Sequence, residues 1–153
     1  MRELLPDFRV VIELDLVWGD MDAFGHLNNV QYFRYYESAR IRYFEKTGVI
    51  RMGEEMVIGP ILASCASRFK APLDYPDRLL VGARVERIER DRFHMRYAIA
   101  SASLGRVAAE GESVVVAFNY REGRKCEVPA AWRARIAEVE GREFPDEERV
   151  SPS

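Results

Sequence analysis

The sequence predicts an α+β fold in which one long helix packs on a largely antiparallel sheet of five strands. Three observations predict it. Alternating apolar and polar residues recur in several segments of strand length, one segment alone carries helical periodicity over four or five turns, and the later strands are joined by connections short enough for hairpins. The chain has 153 residues, 48% of them hydrophobic, enough for one core and one domain. That domain is placed at residues 1–140, with a polar, proline-punctuated, mobile tail at 141–153.

Met1 to Pro6 reads as a short lead-in. From Phe8 the chain alternates, with Phe8, Val10, Ile12, Leu14 and Leu16 on one side and Arg9, Glu13 and Asp15 on the other. This is a half-buried strand. A polar turn follows, holding Asp20, Asp22, His26, Asn28 and Asn29 beside Gly19 and Gly25. Then Val30, Phe33, Glu37, Ile41 and Phe44 recur at spacings of three and four, one face of a helix from Asn29 to Thr47. Asn28 or Asn29 stands where an N-cap belongs, and Gly48 where the helix should stop.

Residues 49–60 are rich in glycine and read as a loop leading into a strand. Ile61 to Ala71 is that strand, ended by Pro72 and a turn at Leu73–Asp77. Arg78–Arg90, Phe93–Ser101 and Val107–Tyr120 form an antiparallel meander through short connections at Glu89–Asp91 and Leu104–Gly105. Leu79, Val81, Ala83 and Val85, then Phe93, Met95, Tyr97 and Ile99, are the candidate core residues of the first two. Pro129 opens a short C-terminal helix. In a lone copy the edge strands of such a sheet would be left unpaired, which predicts edge-to-edge dimerisation.

Charge and composition narrow the function. The chain has 23 basic against 25 acidic residues, so nothing points to nucleic acid or an anionic membrane. Cys65 and Cys126 lie far apart and make neither a metal pair nor a disulfide framework; they read as buried thiols of a cytoplasmic protein. No signal peptide or membrane span is expected, because charges interrupt every apolar run. No serine sits in a G-x-S-x-G elbow and neither cysteine lies in the polar turn, which leaves a carboxylate as the candidate nucleophile or base. A helix start beside it offers unpartnered backbone N–H groups and partial positive charge, the elements needed to hold an oxyanion.

The stretch WGDMDAFGHLNNVQYFRYYESARIRYF (Trp18 to Phe44) resembles the 4-hydroxybenzoyl-CoA thioesterase-like branch of the hotdog thioesterases. That branch carries D-x-D (here Asp20 and Asp22), a glycine three residues on (Gly25), and an aromatic-rich helix ending near E-x-A-R (Glu37 to Arg40). The segments GPILASCASRFKAPLDYPD and FNYREGRKCEVP resemble it in order and spacing. The resemblance implies a hotdog fold, a homodimer often paired again into a dimer of dimers, and active sites across the subunit interface. It implies an acyl-coenzyme A substrate, or an acyl carrier protein thioester, and calls for no cofactor or metal. Asp22 would attack the thioester or activate water, and the backbone N–H of Asn29 would hold the carbonyl oxygen.

After Gly25 the chain departs from the founding pattern: His26-Leu27-Asn28-Asn29 stands where that branch has an apolar and aromatic segment, as in a subgroup with G-H-x-N-N. His26 is therefore a candidate general acid, or the residue that orients water, against the plainer roles of cap or packing. Asp20 reads as structural. Gly25, Asn28 and Tyr32 are candidate substrate-binding residues, with Arg90 the choice among Arg68, Lys70, Arg87, Arg90 and Arg92 for coenzyme A phosphates. Glu37 is expected to pair with Arg40 or Arg34. Two other functions compete with hydrolysis: a non-catalytic acyl-thioester binding module, and a hotdog hydratase or dehydratase. The latter would want a histidine with an acidic residue around the helix, where only Glu37 is available.

Overall fold

The computed structural model describes residues 1–51 and 53–145. In chain order the elements are β1 (Val10–Asp15), α1 (Asn29–Thr47), β2 (Ile58–Phe69), β3 (Arg78–Ile88), β4 (Arg92–Ser101), β5 (Arg106–Asn119), β6 (Arg124–Lys125) and α2 (Ala130–Glu140), with single 3-10 turns at Arg2–Leu4 and Trp18–Asp20. The strands form one antiparallel sheet ordered β1-β3-β4-β5-β2, with the two-residue β6 added to the end of β5. This is a hotdog fold: α1 lies against β1, β2 and β3 on the inner face of the curled sheet. Among the described residues, no helix is long and apolar enough to cross a membrane.

α1 has the bounds its sequence predicts. Asn28 is the N-cap, its side chain accepting from the Val30 N–H, and Gly48 closes the C-terminus at φ 73°, a conformation that favours glycine. The buried face is not the expected one. Val30, Phe33 and Ile41 are exposed, as is Glu37, whereas Tyr32, Tyr35, Tyr36, Ala39, Arg40 and Tyr43 are buried, with Phe44 shared by both sets. Three of these tyrosines go inside with hydroxyls that find partners there, Tyr35 on Asp20, Tyr36 on Ser67 and Tyr43 on Glu140, and the ring of Tyr32 packs edge to face on Phe69. Arg40 is buried too, donating to the Tyr97 hydroxyl at 3.2 Å. Glu37 therefore has neither of its expected partners, and no ion pair joins it to another described residue.

The alternation of β3 and β4 holds. Leu79, Val81, Ala83 and Val85, with Phe93, Met95, Tyr97 and Ile99, join the helix in one core that runs from Val10 to Ile136. Tyr36 stacks on Tyr97 with ring centroids 5.1 Å apart, lying so close over Gly111 that a Cβ there would meet its ring at 2.7 Å. Three bulges bend the sheet. One, at Ala108 in β5, aims its carbonyl at the N–H groups of Lys70 and Ala71, at 2.8 and 3.1 Å. Another leaves the Val85 N–H in β3 to Glu140 of α2, at 3.0 Å.

Phe8 and the lead-in depart from expectation. β1 starts at Val10, and Phe8 turns to the outer face of the sheet. With Leu5, Leu80, Ala98 and Ala100 it makes a second, smaller core. Gly82 permits this, since a Cβ there would stand 2.6 Å from the Phe8 ring. Pro129 is the N-cap of α2 rather than part of its first turn. The two cysteines are unbonded and half-buried rather than fully buried. The expected tail begins with residues held on the body: Arg142 donates to the Glu86 carbonyl and lies over the ring of Phe144, which packs on the core. Its remainder, 146–153, lies outside the described residues.

Candidate active site

The polar turn between β1 and α1 is held from within. The Asp22 N–H donates to the His26 carbonyl at 2.7 Å, and Met21 bridges Leu27. Oδ1 of Asp22 accepts two backbone N–H groups, from Phe24 at 2.8 Å and His26 at 3.2 Å. A carboxylate pinned through one oxygen keeps a fixed direction, and Oδ2 has no bond to another described residue. Gly25, at φ 80°, supplies the left-handed corner that this five-residue loop requires.

Asp20 joins the turn to the helix. Its carbonyl accepts the Asn28 N–H at 3.0 Å, and Oδ2 accepts from the Tyr35 hydroxyl at 3.3 Å. Burial, then the Asp20 carboxylate, push the Tyr35 hydroxyl well above its ordinary pKa, so it stays a donor. Leu27 ties the turn to the loop after β2, its N–H donating to Leu73 at 2.7 Å.

The start of α1 then has a particular pattern of donors. Asn28 N–H is used by Asp20, Val30 N–H by the Asn28 side chain at 3.1 Å, and Gln31 N–H by the Asn28 carbonyl at 2.9 Å. The Asn29 N–H between them has no partner among the described residues. It sits at the positive end of a 19-residue helix, where developing negative charge is stabilised.

Asp22, His26, Leu27, Asn29 and Tyr32 line one open cleft of about 290 Å³. Its other wall is Phe69, Lys70, Ala71 and Pro72, from the end of β2. Tyr32 is buried, and its ring meets Phe69 edge to face at 4.8 Å. Burial also raises the Tyr32 hydroxyl above its ordinary pKa. Lys70 holds Glu110 at 2.6 Å. The imidazole of His26 makes no hydrogen bond to another described residue. Among those residues no group of three or more His, Cys, Asp or Glu side chains is placed to hold a metal.

Of the seven site residues named from the sequence, the cleft brings together Asp22, His26, Asn29 and Tyr32. Gly25 shapes the turn and Asn28 caps the helix; neither lines the cleft. Arg90 is elsewhere. It sits in the β3–β4 hairpin, paired with Glu127 at 2.9 Å, roughly 33 Å of strand away from the end of β3 that faces the site. The antiparallel order itself carries that information, since β1 ends at the site, β3 starts beside it, and the next hairpin must lie at the far end. Leu27, Phe69, Ala71 and Pro72 are the cleft residues that local reading does not name for the site; Lys70 is among the phosphate candidates, and the last three, like Lys70, come from the end of β2. Their place depends on β2 pairing with β5, about forty residues later in the chain.

The sequence profile of the thioesterase-like superfamily matches residues 16–136. A thioesterase from Thermus thermophilus, solved with coenzyme A and zinc, is 31% identical with a TM-score of 0.79, covering 91% of this chain and 99% of that one. The PA2801 protein from Pseudomonas aeruginosa is 27% identical (TM-score 0.75; 85% and 99% covered). A 1,4-dihydroxy-2-naphthoyl-CoA thioesterase from Synechocystis, at 22% identity, shares the fold (TM-score 0.71; 84% and 96% covered). No curated protein matches the chain. The match takes in the polar turn, the whole of α1 and every strand from β2 to β6, and on that evidence the chain belongs to the thioesterase-like superfamily.

Proposed function

We propose that this protein hydrolyses acyl-coenzyme A thioesters, with Asp22 as the catalytic carboxylate and the Asn29 N–H as oxyanion donor. The observation that carries this is one cleft lined both by Asp22, a carboxylate pinned through a single oxygen, and by Asn29, whose N–H at the start of a long helix has no partner among the described residues. Family membership and the coenzyme A bound by the Thermus relative support the substrate class. An acyl carrier protein thioester has the same reacting group and is the alternative carrier.

Two routes use these parts. In the first, Asp22 takes a proton from water as the oxygen attacks the thioester carbon. The carbonyl oxygen becomes an oxyanion on the Asn29 N–H, and its collapse breaks the C–S bond. In the second, Oδ2 attacks the thioester carbon directly, the tetrahedral adduct expels the thiolate to leave a mixed anhydride, and water then cleaves the anhydride. One oxyanion donor of this kind is worth about 3 kcal/mol. His26 can return a proton to the thiolate; coenzyme A leaves readily as the anion, so this contribution is modest.

A homodimer, paired again into a tetramer, is part of the same reading. It is supported by the exposed apolar face of α1 (Val30, Phe33, Ile41) and by the free edge of β2, which pairs on one side only. Light scattering of the purified protein tests it. Two unbonded thiols suit a cytoplasmic protein.

The test of function is thiol release from a panel of acyl-CoAs by wild type, Asp22→Asn and Asp22→Ala. Both variants should lose about a hundredfold or more in kcat while staying folded. A single turnover in 18O-water that leaves 18O in Asp22 identifies direct attack, with water cleaving the anhydride at the Asp22 carbon; label confined to the product acid fits the general-base route or cleavage at the acyl carbon. Activity surviving in Asp22→Ala would remove Asp22 from the mechanism. A wild type that binds acyl-CoA without turnover would make the protein a binding module.

A further inference from the structure

The residues of the cleft divide by chemistry. Asp22, His26, Asn29 and Lys70 are polar; Leu27, Tyr32, Phe69, Ala71 and Pro72 form the apolar part. For an acyl group whose carbonyl oxygen rests on the Asn29 N–H, the apolar part is the favourable place for its carbon chain. Tyr32 is three residues past Asn29, on the same side of α1 and about 4.5 Å further along its axis. The chain therefore meets the Tyr32–Phe69 pair within a few carbons of the thioester.

These apolar side chains are not equally free. Leu27 and Tyr32 are 2% and 3% exposed and belong to the main core, so neither can move without disturbing it. Ala71 and Pro72 are too short or too rigid to adjust. Phe69 is 46% exposed, ends the edge strand β2, and touches the core through its edge-to-face contact with Tyr32. Its ring is the one large element of the wall whose removal leaves the core intact.

We infer that Phe69 is the specificity-determining residue of the site, closing the acyl end of the cleft so that wild type favours small acyl groups over long alkyl chains. This rests on the hydrolytic reading given above. Phe69 touches neither reacting atom, so its loss changes which acyl group fits and leaves the chemistry at Asp22 alone.

The experiment compares kcat/KM for acetyl-, butanoyl-, octanoyl- and decanoyl-CoA in wild type, Phe69→Leu and Phe69→Ala, with thermal unfolding of each variant. Wild type should prefer the two short substrates. In Phe69→Ala the decanoyl-to-acetyl ratio should rise about tenfold or more, and Phe69→Leu should fall between. A wild type equally active on decanoyl- and acetyl-CoA would overturn the inference, as would a ratio unmoved in both variants or a parallel loss on every substrate. If Phe69→Ala does not fold, Phe69→Leu alone decides by the same ratio. A wild type inactive on every thioester would instead overturn the hydrolytic reading, which keeps the two failures apart.

Discussion

Oδ1 of Asn28 accepts the N–H of Val30 at 3.1 Å, and so removes from the start of α1 the donor that would compete with Asn29. A cap ordinarily lends stability alone. Here it also selects which backbone N–H at the helix start is left without a partner among the described residues.

Asn28→Ala should therefore cost about 1 kcal/mol of stability and lower kcat about tenfold as the helix start frays. Urea unfolding and thiol release on the same samples measure both. Asn28→Asp and Asn28→Ser, which keep a side-chain acceptor, should recover most of each. Full turnover in a destabilised Asn28→Ala would show that the cap does not align the Asn29 donor.

Glu140 should matter more than a residue at the end of a short helix usually does. One of its carboxylate oxygens accepts both the Tyr43 hydroxyl at 2.6 Å and the Val85 N–H at 3.0 Å. Glu140→Ala leaves two buried donors unmet, at about 2–4 kcal/mol in total. Tyr43→Phe removes one donor and should cost less. Equal denaturation midpoints for wild type and Glu140→Ala would contradict this.

Gly111→Ala tests the floor beneath α1. The added methyl would stand 2.7 Å from the Tyr36 ring. That ring is fully buried, stacked on Tyr97 and bonded to Ser67, so it has nowhere to go. A loss of about 1–3 kcal/mol is expected, and a Tm equal to wild type would mean that the ring has room to shift.

Alkaline pH should unfold this protein cooperatively. Tyr32, Tyr35, Tyr36, Tyr43 and Tyr97 all have their hydroxyls pushed up, chiefly by burial, Tyr36 to about 12. A tyrosine whose folded pKa exceeds the unfolded value of about 10 contributes stability that is complete below pH 10 and is lost as pH climbs through the folded value. Stability by urea should thus fall steeply from pH 10 to 12, and much of the phenolate absorbance should appear together with unfolding. A single gradual titration of all seven tyrosines, with stability unchanged, would rule this out.

The helix bounds, the meander and the inward faces of β3 and β4 were legible because each rests on local pattern. The face of α1 was not. Apolar residues at helical spacing point to Val30, Phe33 and Ile41, but a tyrosine counts as apolar or polar according to whether its hydroxyl finds a partner, and those partners are Asp20, Ser67 and Glu140. Phe8 escapes the alternation because Gly82, seventy-four positions on, opens a place for its ring on the outer face. At the site, residues 20–32 were legible as one continuous run. The opposite wall was not, because Phe69 and Pro72 arrive through the pairing of β2 with β5.

That division has a consequence for how such a protein can be changed. The groups assigned to the reaction, Asp22 and the Asn29 N–H, lie seven residues apart in one stretch whose hydrogen bonds are nearly all its own. On the proposed mechanism rate is written into a local cassette, while the wall assigned to the acyl group is borrowed from a distant strand end. If the proposed roles hold, selectivity can drift at Phe69 apart from the groups assigned to thioester cleavage, and substitutions at that one position should explore substrates.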